Sequence, residues 1–144
     1  MSNKINFYIA SSYLFKVDCI ELSRVLEEQF ICEVLEKWWN WYHDNEIQHI
    51  VDCDFYNLPE IKQALVNDFK AIDDSDIIIV VVKDRTRLDG ALIELGYALA
   101  KKKTVIIYGK IKKSAMLSSC IHVDNHYDLF TEINNYIYKK EKQK

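Results

Sequence analysis

The stretch Asp76-Ile77-Ile78-Ile79-Val80-Val81-Val82 decides the fold. A β-branched run without polar alternation offers no face to water, so it reads as a strand covered on both sides, the mark of the centre of a parallel sheet. Just upstream, Leu58-Pro59-Glu60 opens a helix with proline in its first turn. That helix is expected to run to about Ala71, with Ile61, Leu65, Phe69 and Ile72 as its apolar face. Downstream, Gly90 to about Lys102 reads as helix and Thr104–Tyr108 as the next strand. Towards the N-terminus the pattern gives a strand at Ile5–Ala10, a helix at Val17–Phe30 on Ile20, Leu22, Val25 and Leu26, and a second strand at Ile31–Leu35. Trp38 to Tyr56 is irregular or weakly helical. Towards the C-terminus come a short edge strand, Cys120–Val123, and a closing helix, Tyr127–Lys140.

Strands alternating with helices build parallel sheets, because each crossover is right-handed and must cover a sheet face. The expectation is a single-domain α/β fold, flavodoxin- or Rossmann-like, with a five-stranded parallel sheet and helices on both faces. The domain is expected to span 1–138, and residues 139–144 read as a frayed, basic, solubilising tail. Ligands in such sheets bind beyond the carboxyl ends of the strands, at the switch in strand order. The loops after Ala10, Leu35, Val82 and Tyr108 therefore matter most.

Bulk properties narrow the function. The 144 residues are 49% hydrophobic and 28% charged, with a net charge of −3, which suits one globular domain and gives no basic footprint for nucleic acid. No apolar stretch approaches the ~18 residues that a membrane span needs, and the N-terminus has no signal-peptide pattern. Cys19, Cys32, Cys53 and Cys120 lack C-x-x-C spacing, so they read as reduced thiols in a cytoplasmic protein. His43, His49, His122 and His126 have no ligand spacing on a helix, and no metal site is expected. Ala10-Ser11-Ser12-Tyr13 stands where a dinucleotide fold would carry G-x-G-x-x-G, and neither a phosphate loop nor a G-x-S-x-G elbow occurs.

Chemistry concentrates in Asp84-Arg85-Thr86-Arg87-Leu88-Asp89-Gly90-Ala91-Leu92-Ile93-Glu94, the loop and first helical turns after the central strand. Asp89 or Thr86 is placed to cap that helix, and Gly90 leaves the backbone open to a ligand. Glu94 falls about one turn inside, where the helix dipole favours an ionised carboxylate suited to nucleophilic attack on an anomeric carbon. Gly96 is expected on the sheet side or at a helix contact, where it permits close packing. Asp68, on the helix entering the central strand, is displaced towards the same edge, and two such acids suit glycosidic bond cleavage. Asp73, Asp74 and Asp76 belong to the opposite end.

In order along the chain, Phe7-Tyr8-Ile9-Ala10-Ser11-Ser12, then Asn67-Asp68 with Ile72 and Ser75-Asp76-Ile77-Ile78, then Gly90-x-x-x-Glu94-x-Gly96-x-Ala98 followed by Lys103-Thr104-Val105-Ile106-Ile107, resemble the nucleoside 2-deoxyribosyltransferases and the related nucleotide N-glycoside hydrolases. The resemblance implies a double displacement without a cofactor. Glu94 attacks C1′ of a 2′-deoxynucleoside, Asp68 contacts the base and helps its departure, and Tyr8 orients the nucleophile. The sugar then passes to a second base or to water. Ala10, Ser11, Ser12, Asp89 and Gly90 are expected around the substrate. The resemblance also implies a homo-oligomer, a dimer or larger, in which a neighbouring subunit completes the site; Met116 is the candidate contributor.

The sequence departs from the family at Leu88, six residues before Glu94, where transferases carry an acid and nucleotide hydrolases a serine. Either Asp89 takes over the contact with the sugar's 5′ side, or Arg85 and Arg87 meet a 5′-phosphate. Trp38, Trp39 and Trp41 form an unusual cluster that reads as a base-stacking wall, with Trp39 its candidate, or as a subunit interface. The expected partners are thus a nucleoside or nucleotide and a free nucleobase. Deoxyribosyl transfer is the first reading and N-glycoside hydrolysis its rival. A non-catalytic nucleotide-binding or signalling-nucleotide module, or a purely structural role for the tryptophans, stands apart from both.

Overall fold

The structure is a computed structural model that describes residues 4–40, 56–83 and 88–143. Strand β1 (Ile5–Ala10) leads through a short turn (Tyr13–Phe15) to helix α1 (Lys16–Gln29) and strand β2 (Cys32–Val34). Helix α2 (Pro59–Asp74) then precedes β3 (Ile77–Val81), α3 (Asp89–Ala100), β4 (Thr104–Tyr108), β5 (Ile121–Val123) and α4 (His126–Lys142). All pairings are parallel and the order is β2-β1-β3-β4-β5. The β-branched run of β3 is buried at every position, between β1 and β4, as its composition requires. Right-handed crossovers put α1 on one face and α2 and α3 on the other, and α4, which follows the last strand, packs on the α1 side. Ring contacts agree with this: Phe30 at the end of α1 meets Phe130 of α4 edge-on at 5.5 Å, and Phe69 of α2 stacks on Tyr97 of α3 at 4.4 Å.

The regular part of β2 is shorter than the expected strand, yet backbone bonds cover the whole span: Ile5 N–H donates to Ile31 O at 3.1 Å and Leu35 N–H to Phe7 O at 2.8 Å. Two apolar faces differ from expectation. On α1 the buried residues are Cys19, Leu22, Ser23 and Leu26, while Ile20 is exposed. On α2 they are Ala71 and Ile72, while Leu65 is exposed. In both helices the side turned inward includes small or polar residues that a search for large aliphatics passes over. The frayed tail expected from residue 139 is instead the last turn of α4 as far as Lys142, and Lys140 pairs with Asp76 at 3.1 Å.

The amino edge is tied by the acids expected there. Asp76 accepts from Asn6 N–H at 2.9 Å, Asp73 from the Tyr97 hydroxyl at 2.9 Å, and Asp74 pairs with Lys70 at 2.7 Å. Cys19, Cys32 and Cys120 are free thiols; burial pushes Cys19 up to about 12 and Cys32 up to about 11, so they stay protonated and serve as packing groups. Cys53, His43 and His49 lie outside the described residues. No helix among the described residues is long and apolar enough to cross a membrane.

Candidate active site

The strand order reverses direction at β1, between β2 and β3. A cavity of about 290 Å³ opens at the carboxyl edge there, where the switch-point rule places ligands. Its wall is Ser11, Ser12 and Tyr13 after β1, Trp38 after β2, Asp68 of α2, and Leu88, Asp89, Gly90, Ala91 and Glu94 at the start of α3.

Both carboxylates reach the cavity for one reason: each occupies the inward stripe of its helix. Glu94 lies three residues after buried Ala91 and four before buried Ala98. Asp68 lies three before buried Ala71 and four before buried Ile72. Residues three and four apart share a helix face, so the packing that buries the alanines turns the acids towards the sheet. There they meet Tyr8, which is fully buried in β1.

The electrostatics of these three groups are coupled. Burial pushes Glu94 up to about 7, with Tyr8 pulling the other way. Burial, then the charges of Glu94 and Glu36, push Asp68 up to about 8, again opposed by Tyr8. Burial and both acids hold the Tyr8 phenol well above its ordinary range. Among the described residues Tyr8 Oη and Glu94 Oε2 are buried without a hydrogen bond of ordinary geometry, although the phenol is close enough to both acids to shift their titration. Near neutral pH the pair therefore holds about one proton, with Asp68 the stronger holder, so that one carboxyl is able to donate and the other to attack.

The helix-dipole argument for an ionised Glu94 is corrected by this geometry. Helix α3 starts at Asp89, so Glu94 is its sixth residue, beyond the turn where the dipole acts, and desolvation dominates instead. Asp89 is the first helical residue; the cap position is Leu88, without a side-chain cap bond. Thr86 lies outside the described residues. Gly90 borders the cavity, and a Cβ there would meet nothing within 4 Å. Gly96 is exposed with equally open space, so among the described residues it meets neither the sheet nor a close helix contact.

The serines of the first loop shape the cavity through bonds of their own. The Ser11 hydroxyl donates to Val81 O at 2.7 Å, tying β1 to β3, and Ser12 Oγ accepts from Leu14 N–H at 3.3 Å. Ser12 thus retains its hydroxyl proton for a ligand. Ala10 is fully buried in β1 and does not line the cavity. Trp39 does not line it either: it is buried and packs edge-on behind Trp38 at 5.3 Å. Among the described residues Trp38 is the tryptophan that lines the cavity, its indole N–H donating to Ile9 O at 2.8 Å. Met116 is 80% exposed on a separate, mostly apolar groove with Leu92, Leu95, Leu99, Ile111 and Leu117. Arg85, Arg87 and Trp41 lie outside the described residues.

Tyr13, Trp38, Leu88 and Ala91 join the cavity beyond the expected set. Trp38 was legible only as a member of the tryptophan cluster after β2, in which Trp39 was the expected base-stacking residue. Glu36 was not legible, because its bearing on Tyr8 and Asp68 depends on a left-handed backbone at φ 45°. Among the described residues no group of His, Cys, Asp and Glu is arranged to hold a metal ion.

The sequence pattern of the nucleoside 2-deoxyribosyltransferase family matches residues 7–137 of the chain. Among solved structures the chain is similar to a 2-deoxyribosyltransferase from the psychrotolerant bacterium Bacillus psychrosaccharolyticus, at 18% identity and a TM-score of 0.60, over 86% of this chain and 89% of that one. At that identity the likeness speaks to the fold. No curated protein matches the sequence.

Proposed function

The chain belongs to the nucleoside 2-deoxyribosyltransferase family, and from that premise we propose that it cleaves the N-glycosidic bond of a 2′-deoxynucleoside through a covalent intermediate on Glu94 and passes the sugar to a second nucleobase. The observation that carries this reading is the meeting of Asp68 and Glu94, from different helices, in one cavity beside Tyr8. Glu94 as carboxylate forms a bond from its oxygen to C1′ while the C1′–N bond breaks. Asp68 gives its proton to the departing base, which leaves neutral. In the second half an incoming base attacks C1′ through a ring nitrogen, its proton passes to Asp68, and the bond to Glu94 breaks. Atoms and charge return to the starting state, and no cofactor enters. Tyr8 positions both acids.

The 5′ end of the substrate is a hydroxyl in this reading. Three carboxylates, Asp68, Asp89 and Glu94, and no lysine or arginine belong to the described lining. The carboxylates of Asp89 and of Glu94 in its attacking form repel a dianionic 5′-phosphate, which supports the nucleoside over its 5′-monophosphate as the substrate. Asp89, beside Gly90 at the helix start, is positioned to accept from that hydroxyl. Met116 belongs to the proposal as a residue lent to a neighbouring copy's site, in a homo-oligomer, since it stands apart from the cavity of its own chain.

The test is incubation with 2′-deoxyinosine, with and without adenine, followed by intact-mass analysis after acid quench. The expected result is 2′-deoxyadenosine formation and one deoxyribosyl unit on the peptide containing Glu94. Equal release of hypoxanthine without an acceptor would replace transfer by hydrolysis, and no release at all would remove the glycosidic reading.

A further inference from the structure

The cavity has two chemically different ends. Strands β2 and β3 flank β1, so the residues that follow them stand on opposite sides of it. On the β3 side are Asp89 and Gly90, polar and open, suited to a sugar hydroxyl. On the β2 side is the indole of Trp38, with Tyr13 contributed from the loop between the two. A flat heterocycle and a hydroxylated ring sort themselves accordingly, the aromatic part against the aromatic wall.

Trp38 is fixed from several directions. Its indole N–H donates to Ile9 O at 2.8 Å, its backbone N–H to Glu36 O at 2.8 Å, and Trp39 packs edge-on against it at 5.3 Å. Glu36 holds a left-handed backbone at φ 45°, a conformation that costs a non-glycine residue about 1 kcal/mol or more and persists only where the surroundings enforce it. The next residue, Lys37, is drawn away to Glu27 of α1 at 2.9 Å. The strap after β2 is therefore wound to deliver one side chain, Trp38, to the cavity. Because its only hydrogen-bond donor is already engaged by Ile9, that side chain presents apolar ring surface to a ligand.

We propose that Trp38 is the residue that sets the size of nucleobase the site admits, acting as a rigid wall that reads ring dimensions and not hydrogen-bonding groups. This rests on the glycosyl transfer proposed above. Wild-type protein discriminates between one-ring and two-ring bases at this wall, and it leaves the distinction between bases of equal size to other groups.

The experiment compares wild type, Trp38→Ala and Trp38→Phe, with folding checked by circular dichroism and thermal melting. For each, kcat/KM is measured on 2′-deoxyuridine, 2′-deoxyadenosine and 2′-deoxyinosine, and the dissociation constants of free uracil, adenine and hypoxanthine are measured calorimetrically. The expected result is a shift of at least tenfold in the two-ring to one-ring ratio, towards the larger bases, in Trp38→Ala. Trp38→Phe gives a smaller shift in the same direction, and the adenine to hypoxanthine ratio stays within twofold of wild type in both. If Trp38→Ala does not fold, the Phe variant alone decides. A folded variant whose size ratio is unchanged while every substrate falls together overturns the proposal. So does a change confined to the adenine to hypoxanthine ratio. If no nucleoside is cleaved by wild type, the function reading fails while the free-base constants still judge Trp38.

Discussion

Asp68 and Glu94 sit on neighbouring helices at equivalent places, each three residues from one buried alanine and four from another buried residue, and each bears on the Tyr8 phenol. Both acids thus lie where a helix normally places aliphatic side chains, and the cost of burying them appears as raised proton affinity. Such a placement weakens the fold and equips a site, and it has measurable consequences.

Replacing Glu94 by Gln should abolish turnover and stabilise the protein at alkaline pH. Glu94 moves from 4.5 up to about 7 on folding, so the folded state holds the proton more tightly. The associated stability is complete below about 4.5 and lost as pH rises through about 7. A tenfold change in proton affinity is worth about 1.4 kcal/mol, so Gln recovers up to about 3 kcal/mol at about pH 9 and little at about pH 4. Chemical denaturation of both forms at the two pH values checks this; an alkaline gain no larger than the acid one would refute it.

The rate should follow a narrow bell in pH. With Glu94 near 7 and Asp68 near 8, kcat/KM rises as the first loses its proton and falls as the second does. As a coupled pair they give limbs that belong to the dyad. Asp68→Asn should lower activity by about 10²–10⁴-fold and remove the alkaline limb. A pH–rate profile from about 5 to about 10 reads both effects.

Tyr8→Phe should leave stability within about 1 kcal/mol of wild type, because the hydroxyl lost makes no ordinary hydrogen bond. It should also move both limbs of the pH profile upward, since the phenol lowers the proton affinity of Glu94 and of Asp68. Melting curves and the same profile test it; limbs that stay in place would show that Tyr8 serves packing alone.

Gly109→Ala should be strongly destabilising, by about 2–4 kcal/mol. Gly109 follows β4 with φ +117°, and a Cβ there would lie 2.0 Å from Val82 O. The Gly109 N–H also donates to Val123 O at 2.8 Å, so the backbone has no freedom to turn away. Urea denaturation gives the value, and a loss under about 1 kcal/mol would refute the close approach.

Much of the fold is legible because it rests on local patterns. The run Ile77–Val82 can only be a central strand, and the alternation around it leaves a parallel sheet with helices on both faces. The switch-point rule picks out the loops after Ala10, Leu35, Val82 and Tyr108; Ser11, Trp38 and Leu88 of the first three line the cavity, and the loop after Tyr108 does not. Helix faces were less legible. Ile20 and Leu65 are large and apolar yet exposed, whereas Cys19, Ser23 and Ala71 are inside, because which stripe turns inward is set by the crossover geometry and not by side-chain size.

The sequence by itself determined the alternation of strands and helices, the edge at which a site forms, and the candidacy of Glu94 and Asp68. It could not determine how strongly each acid holds its proton. That depends on desolvation and on Tyr8 and Glu36, contributed by segments far from both acids in the chain. Nor could it choose Trp38 over Trp39, since adjacent residues carry the same side chain and only the left-handed turn at Glu36 and the bond to Ile9 decide which indole faces the cavity. Local pattern fixes which residues reach an edge; the low-dielectric environment that gives them chemistry exists only once the β1, β2, α2 and α3 segments are packed together.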